Sequence, residues 1–181
     1  MPGDRFTIRG AIDADAQAVY EIYSPVVTHT AASFETTPPS VAEVRDRIAM
    51  ATATLPWLIG DLDNTVVGYA YASPHRARAA YRWSVDTSVY VSDAWHRTGI
   101  GRALYRALIE RLTAFGYVNA FAGITLPNPA SVALHESVGF TPVGVFQSVG
   151  FKLGAWHDVG WWEIQLTEPP AKPDEPRVTV G

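Results

Sequence analysis

Cysteine is absent from the 181 residues of this chain, which excludes disulfides, thiolate nucleophiles and sulfur-ligated metals. Lysine is scarce, present only as Lys152 and Lys172, so most of the positive charge is carried by arginine. Net positive charge is also missing. The 14 basic residues face 18 acidic ones for a formal −4, and no bulk attraction to nucleic acid or anionic lipid is expected. No apolar run approaches the ~18 residues of a membrane span. The opening Met1-Pro2-Gly3-Asp4-Arg5 has the form of neither a signal nor a transit peptide, so a cytoplasmic protein is expected. What is abundant is apolar character, 48% of residues, in a chain of the length that suits one domain with a full core.

Apolar periodicity divides the chain into elements. Residues 6–11 read as a strand, and Asp13 is placed to cap a helix with Ala16, Val19, Tyr20 and Tyr23 inward. Ser40-Val41-Ala42-Glu43 has the form of a capping box, opening a second helix with Val44 and Ile48 on its inner side. Strands at 57–62 and 65–73 flank the hairpin signal Asp63-Asn64, and a longer strand covers 82–91. The helix from about Gly99 turns Ile100, Leu104, Leu108 and Leu112 inward and stops at Gly116. A strand at 119–126 is followed by a short helix opened by Asn128-Pro129 and ended by Gly139. Two strand-like segments, 141–153 and 156–166, complete the order βααβββαβαββ. This predicts one α/β (α+β) domain over 1–166, with about seven strands in a single mixed twisted sheet and about four helices. Residues 167–181 form a Pro-rich charged tail, expected to be disordered.

The most informative stretch is Val89-Tyr90-Val91 running into Trp95-His96-Arg97-Thr98-Gly99-Ile100-Gly101-Arg102. A β-branched strand meets a glycine-bearing turn that opens an amphipathic helix. Such a turn leaves backbone N–H groups unpaired at the positive end of a helix dipole, where they suit a diphosphate. Arg97 and Arg102 add charge beside it. The turn lacks the Lys-Ser/Thr pair of a P-loop, and Leu104 stands where a dinucleotide fingerprint requires a third glycine. Taken alone, the pattern also fits an ordinary tight turn before a surface helix.

Two separated motifs carry a resemblance. His96-x-x-Gly99-x-Gly101 resembles the pyrophosphate motif of the GNAT acetyltransferases, and Asn128-x-x-Ser131-x-x-Leu134-His135-x-x-x-Gly139-Phe140 resembles their second acetyl-CoA motif. Tyr81-x-Trp83, Ser88-Val89-Tyr90-Val91-Ser92 and Gly150-Phe151-Lys152-x-Gly154-x-Trp156-His157-Asp158-Val159 are similar to the phosphinothricin and methionine-sulfone/sulfoximine acetyltransferases.

The resemblance implies a GNAT fold in which the strand ending at Val91 splays from its neighbour, so that free backbone groups of Val89 and Val91 pair with the pantetheine arm of acetyl-CoA, with Tyr90 also in the cofactor-binding set. The amides of Arg97, Thr98, Gly99, Ile100, Gly101 and Arg102 would hold the diphosphate, with Asn128 and Ser131 nearby. Asn128 has helix capping as an equal alternative. Asp86 stands where those enzymes carry Glu and would accept a proton from the amine, directly or through water. The Val91 N–H would stabilise the oxyanion. His135 could act as acid or base, and Tyr105 as acid or as a core aromatic. Arg76, Arg78 and Tyr81, with Phe34 covering an apolar part, would bind a compact anionic amino acid, because arginine suits carboxylate and phosphinate oxygens. The reaction expected is acetyl transfer from acetyl-CoA to the α-amino group of a phosphinothricin-like or methionine-sulfoximine-like substrate, by direct attack, with no metal. The family's habit of dimerising implies a homodimer. Two other readings stay open: an acetyltransferase for another small primary amine, and a non-catalytic acyl-CoA-binding sensor.

Overall fold

The computed structural model describes residues 6–177. Among them are seven strands in one sheet, ordered β1-β2-β3-β4-β5-β7-β6. The strands are β1 (Phe6–Gly10), β2 (Trp57–Leu62), β3 (Thr65–Pro74), β4 (Ser84–Val91), β5 (Asn119–Leu126), β6 (Thr141–Lys152) and β7 (Ala155–Gln165). The helices are α1 (Ala16–His29), α2 (Val41–Thr52), α3 (Ile100–Ala114) and α4 (Pro129–Ser137). The element order is the one read from periodicity, and the sheet is mixed: β4 and β5 run parallel, the other neighbours antiparallel.

Alternation along the central strands divides the core in two. Leu58, Val67, Ala70, Ala72, Val85, Ala120, Ala122 and Ile124 face α3 and α4, where Leu104, Tyr105, Leu108 and Leu112 cover them. Trp57, Ile59, Tyr69 and, partly, Tyr90 face α1 and α2 on the other side, against Val19, Tyr23, Val44 and Ile48.

The feature that shapes the site is a gap in the sheet. Strands β4 and β5 pair only over Ser84↔Asn119, Val85↔Ala120 and Asp86↔Phe121, and then part. Each wall stays anchored on its outer side, β4 by β3 up to Gly68↔Val91 and β5 by β7 up to Leu126↔Asp158. At the apex, Thr87 Oγ1 donates to the Phe121 carbonyl at 3.1 Å.

Three local expectations are modified. The strand expected from residue 82 begins at Ser84, because residues 79–81 close a 3₁₀ turn in which the Tyr81 and Arg82 amides donate to Arg78 O and Ala79 O. Asp15, rather than Asp13, organises the start of α1: its carboxylate accepts from the Ile12 N–H at 2.9 Å and from both terminal nitrogens of Arg9 at 2.7 Å. The Pro-rich segment carries neither helix nor strand through residue 177, yet Trp83 Nε1 donates to Asp174 O, the Arg177 amide donates to Phe115 O, and Arg82 pairs with Glu175. Residues 178–181 of the expected tail lie outside the described residues.

Burial pushes the Asp15 carboxyl up, but the hydrogen bonds from Arg9 and from the Ile12 amide outweigh it and hold the group below its ordinary value. A carboxyl depressed in this way contributes stability above its unfolded pKa of about 3.9 and loses it as pH falls through the lower folded value. Asp15→Asn is therefore expected to lower the melting temperature at neutral pH, and the difference from the parent protein should shrink as the pH is taken below about 4. A difference that stayed constant with pH would remove the charge from the explanation.

Candidate active site

On the cofactor side, the turn joining β4 to α3 is built from unusual backbone. Arg97 has φ 63° and Gly99, the residue capping α3, has φ 90°. The bond from the Ala103 amide to Gly99 O is the first to close the helix. Among the described residues, the amides of residues 97–102 donate to no protein acceptor, as a helix start on bare turn backbone requires. A Cβ placed on Gly99 would meet nothing within 4 Å, so the turn is open on that side. Gly101 is tucked in instead, its missing Cβ position 3.2 Å from Leu134 Cδ2 and 3.6 Å from Val91 Cγ2. Arg97 and Arg102 are exposed, and Arg102 Nε donates to Ser137 Oγ at 3.2 Å, tying α3 to α4. Thr98 is engaged through its hydroxyl, which donates to Trp95 O at 2.6 Å. An exposed row of amides at a helix start suits a diphosphate, and the residues present fit acetyl-CoA in that respect.

Strand β4 presents its backbone to the gap in alternation. Ser84 O accepts from the His75 amide and the Ser92 amide donates to Val67 O, so even-numbered residues bond toward β3. Val89 and Val91 therefore turn their amides and carbonyls toward the gap. Tyr90 is a correction: its backbone belongs to the β3 pairing, opposite Tyr69, and its ring packs edge-on against Tyr23 at 5.1 Å, in the α1/α2 core. His96 folds back, its Nε2–H donating to Val91 O at 2.9 Å.

The expected catalytic side chains stand on opposite faces of the sheet. Thr87, Tyr105 and His135 lie on the α3/α4 side. His135 is buried, with Nδ1 donating to Ser131 O at 2.7 Å, so that Nε2 is free to accept the Tyr105 hydroxyl at 2.7 Å. Burial lowers the His135 pKa, partly opposed by the bond to Ser131. The ring is thus a neutral imidazole with both nitrogens occupied. Burial also drives the Tyr105 hydroxyl far above its ordinary value. Asn128 Oδ1 accepts from the Ser131 amide at 3.1 Å, which is the capping role.

Asp86 lies on the α1/α2 side at the apex of the gap. It does not stand alone: Oδ1 meets His75 Nδ1 at 2.6 Å. Burial pushes its carboxyl up, while the hydrogen bond from His75 and the charge of Arg76 pull it back. Around this pair the structure assembles part of the expected acceptor set. Tyr81 meets the His75 ring edge-on at 5.8 Å. Arg76 lies over Trp161 at 5.6 Å and donates to His75 O at 2.7 Å. Arg78 is exposed at the foot of the 3₁₀ turn. Arg82, the third arginine of that segment, is turned away onto Trp83 and Glu175.

Phe34 stands apart, near the wide end of the gap, 6.3 Å from the ring of His157 and close over Gly150. Its loop is fastened on both sides. Tyr23 Oη bonds Ser33 Oγ at 2.7 Å and Glu35 at 2.9 Å, Arg47 grips Glu35 with both nitrogens at 2.6 and 3.0 Å, and buried Lys152 donates to Ser33 O at 2.6 Å. A cavity of about 320 Å³ lies on the same face, lined by Tyr23, Arg47, Trp57, Tyr71, Ser73 and Pro74 among others. Sequence reasoning missed His75, the Glu35–Arg47 clamp and this cavity.

Comparison with known proteins places the arrangement. The family model described as an acetyltransferase (GNAT) domain matches residues 8–161. A phosphinothricin N-acetyltransferase from Streptomyces viridochromogenes is 39% identical over 165 residues, covering 90% of each chain. An L-methionine sulfoximine/L-methionine sulfone acetyltransferase from Salmonella typhimurium is 37% identical over 172 residues, covering 93% of this chain and 98% of the other. The crystal structure of a phosphinothricin acetyltransferase from Sinorhizobium meliloti in complex with AcCoA superposes with a TM-score of 0.90 at 39% identity, covering 94% of both chains.

Proposed function

The chain belongs to the GNAT acetyltransferase family, and from that premise we propose that it transfers the acetyl group of acetyl-CoA to the α-amino group of a small, anionic, amino-acid-like substrate of the phosphinothricin or methionine sulfoximine/sulfone type. The observation that supports this most is a convergence. The unpaired amides of residues 97–102 and the gap-facing backbone of Val89 and Val91 open onto one cleft, whose apex carries Asp86 beside Arg76 and Tyr81. The similarity to enzymes named for those two substrate types supports the same class of acceptor.

In this reading the amides of residues 97–102, with Arg97 and Arg102, hold the diphosphate, while Val89 and Val91 hold the pantetheine arm as an added strand would be held. Bound there, acetyl-CoA supplies the activated acetyl group. Asp86 serves as the base that makes the acceptor nitrogen nucleophilic. The Val91 N–H donates to the acetyl oxygen as charge builds on it. On the cofactor side, Tyr105 serves the departing sulfur only by turning its single hydroxyl proton away from His135 Nε2. His135 itself has no free lone pair with which to act as a base. Arg76, Arg78 and Tyr81 hold the acceptor's anionic groups, and Phe34 closes the apolar end.

Direct attack in a ternary complex is favoured, because the chain has no cysteine to carry the acetyl group. Dependence on acetyl-CoA favours the cytoplasm as the place of action. The test is thiol release from acetyl-CoA with a panel of amines. Release with phosphinothricin, methionine sulfone or methionine sulfoximine is expected. Stabilisation by acetyl-CoA of about 2.7 kcal/mol at a hundredfold excess over Kd, with no turnover on any amine, would reduce the protein to a binding module.

A homodimer is part of this proposal. Val145, Phe146, Val149, Phe151 and Leu153, on edge strand β6 and the turn after it, with Trp156 at the start of β7, are 50–64% exposed, a clustered apolar surface of the kind that marks an interaction site. Light scattering is expected to show twice the chain mass for the parent protein and a shift toward the monomer for Phe151→Asp. A monomeric parent protein would overturn it.

A further inference from the structure

We propose that His75 is a catalytic residue of this enzyme, forming with Asp86 a two-residue base whose working atom is His75 Nε2. The inference rests on the acetyltransferase reading above and goes beyond it in replacing the bare carboxylate by an imidazole–carboxylate pair.

Several independent observations meet at this ring. His75 follows directly on β3, whose pairing sets Ser73 opposite Asp86, and this register brings Nδ1 to 2.6 Å from Asp86 Oδ1. An ionised carboxylate only accepts hydrogen bonds, so Nδ1 carries the proton and the lone pair of the neutral ring lies on Nε2. Among the described residues Nε2 has no hydrogen-bond partner, in contrast to His135, whose two nitrogens are both engaged. The ring is also held in place. It stacks on Phe121 at 4.3 Å and 22°, with Trp161 edge-on at 6.2 Å and Tyr81 edge-on at 5.8 Å. Phe121 is the residue paired with Asp86 at the last rung before β4 and β5 part, so the imidazole stands at the apex of the cleft. Its side chain is 12% exposed and that of Asp86 28%. The charged and titratable groups that face the pair are Arg76 beside it and Tyr81 from the 3₁₀ turn, while Phe121 of β5 and Trp161 of β7 contribute none.

The shorter carboxylate explains why a second residue is needed. Asp carries one methylene fewer than Glu, and one of its oxygens is already committed to His75. The imidazole restores the reach and passes its charge to Asp86, the same division of labour as in a His–Asp pair of a hydrolase. A primary ammonium loses two protons in becoming a secondary amide. Nε2 takes the first, freeing the nitrogen lone pair that forms the N–C bond. The C–S bond then breaks with its electron pair leaving on sulfur, and the second proton ends on that sulfur as free thiol. The imidazolium, stabilised by Asp86, returns its proton to solvent.

The experiment combines ring spectroscopy with kinetics on the full chain. Long-range ¹H–¹⁵N NMR of protein labelled in its histidine rings, recorded at alkaline pH, is expected to show His75 protonated on Nδ1 and unprotonated on Nε2, with that tautomer preference lost in Asp86→Asn. His75→Gln is expected to lower kcat by about 10²-fold with acetyl-CoA affinity, read by calorimetry, unchanged. The double variant His75→Gln/Asp86→Asn is expected to be no slower than Asp86→Asn alone. A His75 protonated on Nε2, or a His75→Gln variant with unimpaired kcat, would overturn the pair. If the parent protein turns over no amine, the acetyltransferase reading fails instead, and the spectroscopic result still decides the tautomer.

Discussion

Asp86→Ala is expected to lower kcat by about 10²–10⁴-fold, the range a positioned acid–base group supplies, while leaving acetyl-CoA affinity nearly untouched. The separation follows from where the residue stands. Asp86 lies at the apex of the cleft on the α1/α2 face, whereas the bare amides of residues 97–102 lie beyond the far end of β4. The substitution does two things at once: it removes a half-buried carboxylate and it releases His75 Nδ1 from its 2.6 Å hydrogen bond. Both act on proton transfer from the acceptor, so the loss should fall on kcat rather than on cofactor binding. Thiol-release kinetics give the first quantity and calorimetric titration with acetyl-CoA the second. An unchanged rate would remove Asp86 from the mechanism. A parallel loss of cofactor affinity would mean that the variant has disturbed the strand pairing.

The second large effect is expected at the other end of β4. Gly99 caps α3 at φ 90°, a conformation that costs a β-branched residue roughly 1–2 kcal/mol. Space is not the obstacle, since a Cβ there would meet nothing within 4 Å. Gly99→Val is instead expected to relieve its strain by rotating the turn, which displaces the unpaired amides of residues 97–102. Hydrogen bonds to a charged group contribute about 1.5–3 kcal/mol each, so the loss of one should weaken acetyl-CoA binding by about 10–100-fold. The variant's melting temperature separates the cost to the fold from the cost to binding. Undiminished affinity in a folded variant would mean that the diphosphate does not rest on this turn.

The architecture was largely legible because periodicity reports burial. The strands at 57–62 and 65–73 on either side of Asp63-Asn64, the inward stripe Ile100-Leu104-Leu108-Leu112 and the Ser40/Glu43 capping box all appear in the structure where the pattern put them. What periodicity does not carry is which strand lies beside which. Tyr90 looked like part of the cofactor wall because it sits between Val89 and Val91. Only the pairing with β3 reveals that its backbone bonds away from the gap. The same limit hid His75, whose partner Asp86 lies eleven residues on and is brought to it by the β3–β4 register, while the arginines around it drew attention to anion capture. Arg82 is diverted by Glu175, 93 residues further along. Asp15 prevailed over Asp13 for a similar reason, since Arg9 approaches from β1 and rewards the carboxylate that points back toward the sheet. Motif spacing identifies a turn and a chemistry, but long-range register decides which side chains complete them.

One crystallographic measurement addresses the core of the account: the structure of the protein soaked with acetyl-CoA. Density for the diphosphate is expected within hydrogen-bonding distance of the amides of residues 97–102, with the pantetheine arm running along Val89 and Val91 into the gap between β4 and β5. Cofactor bound elsewhere, or a turn left empty at saturating concentration, would contradict it.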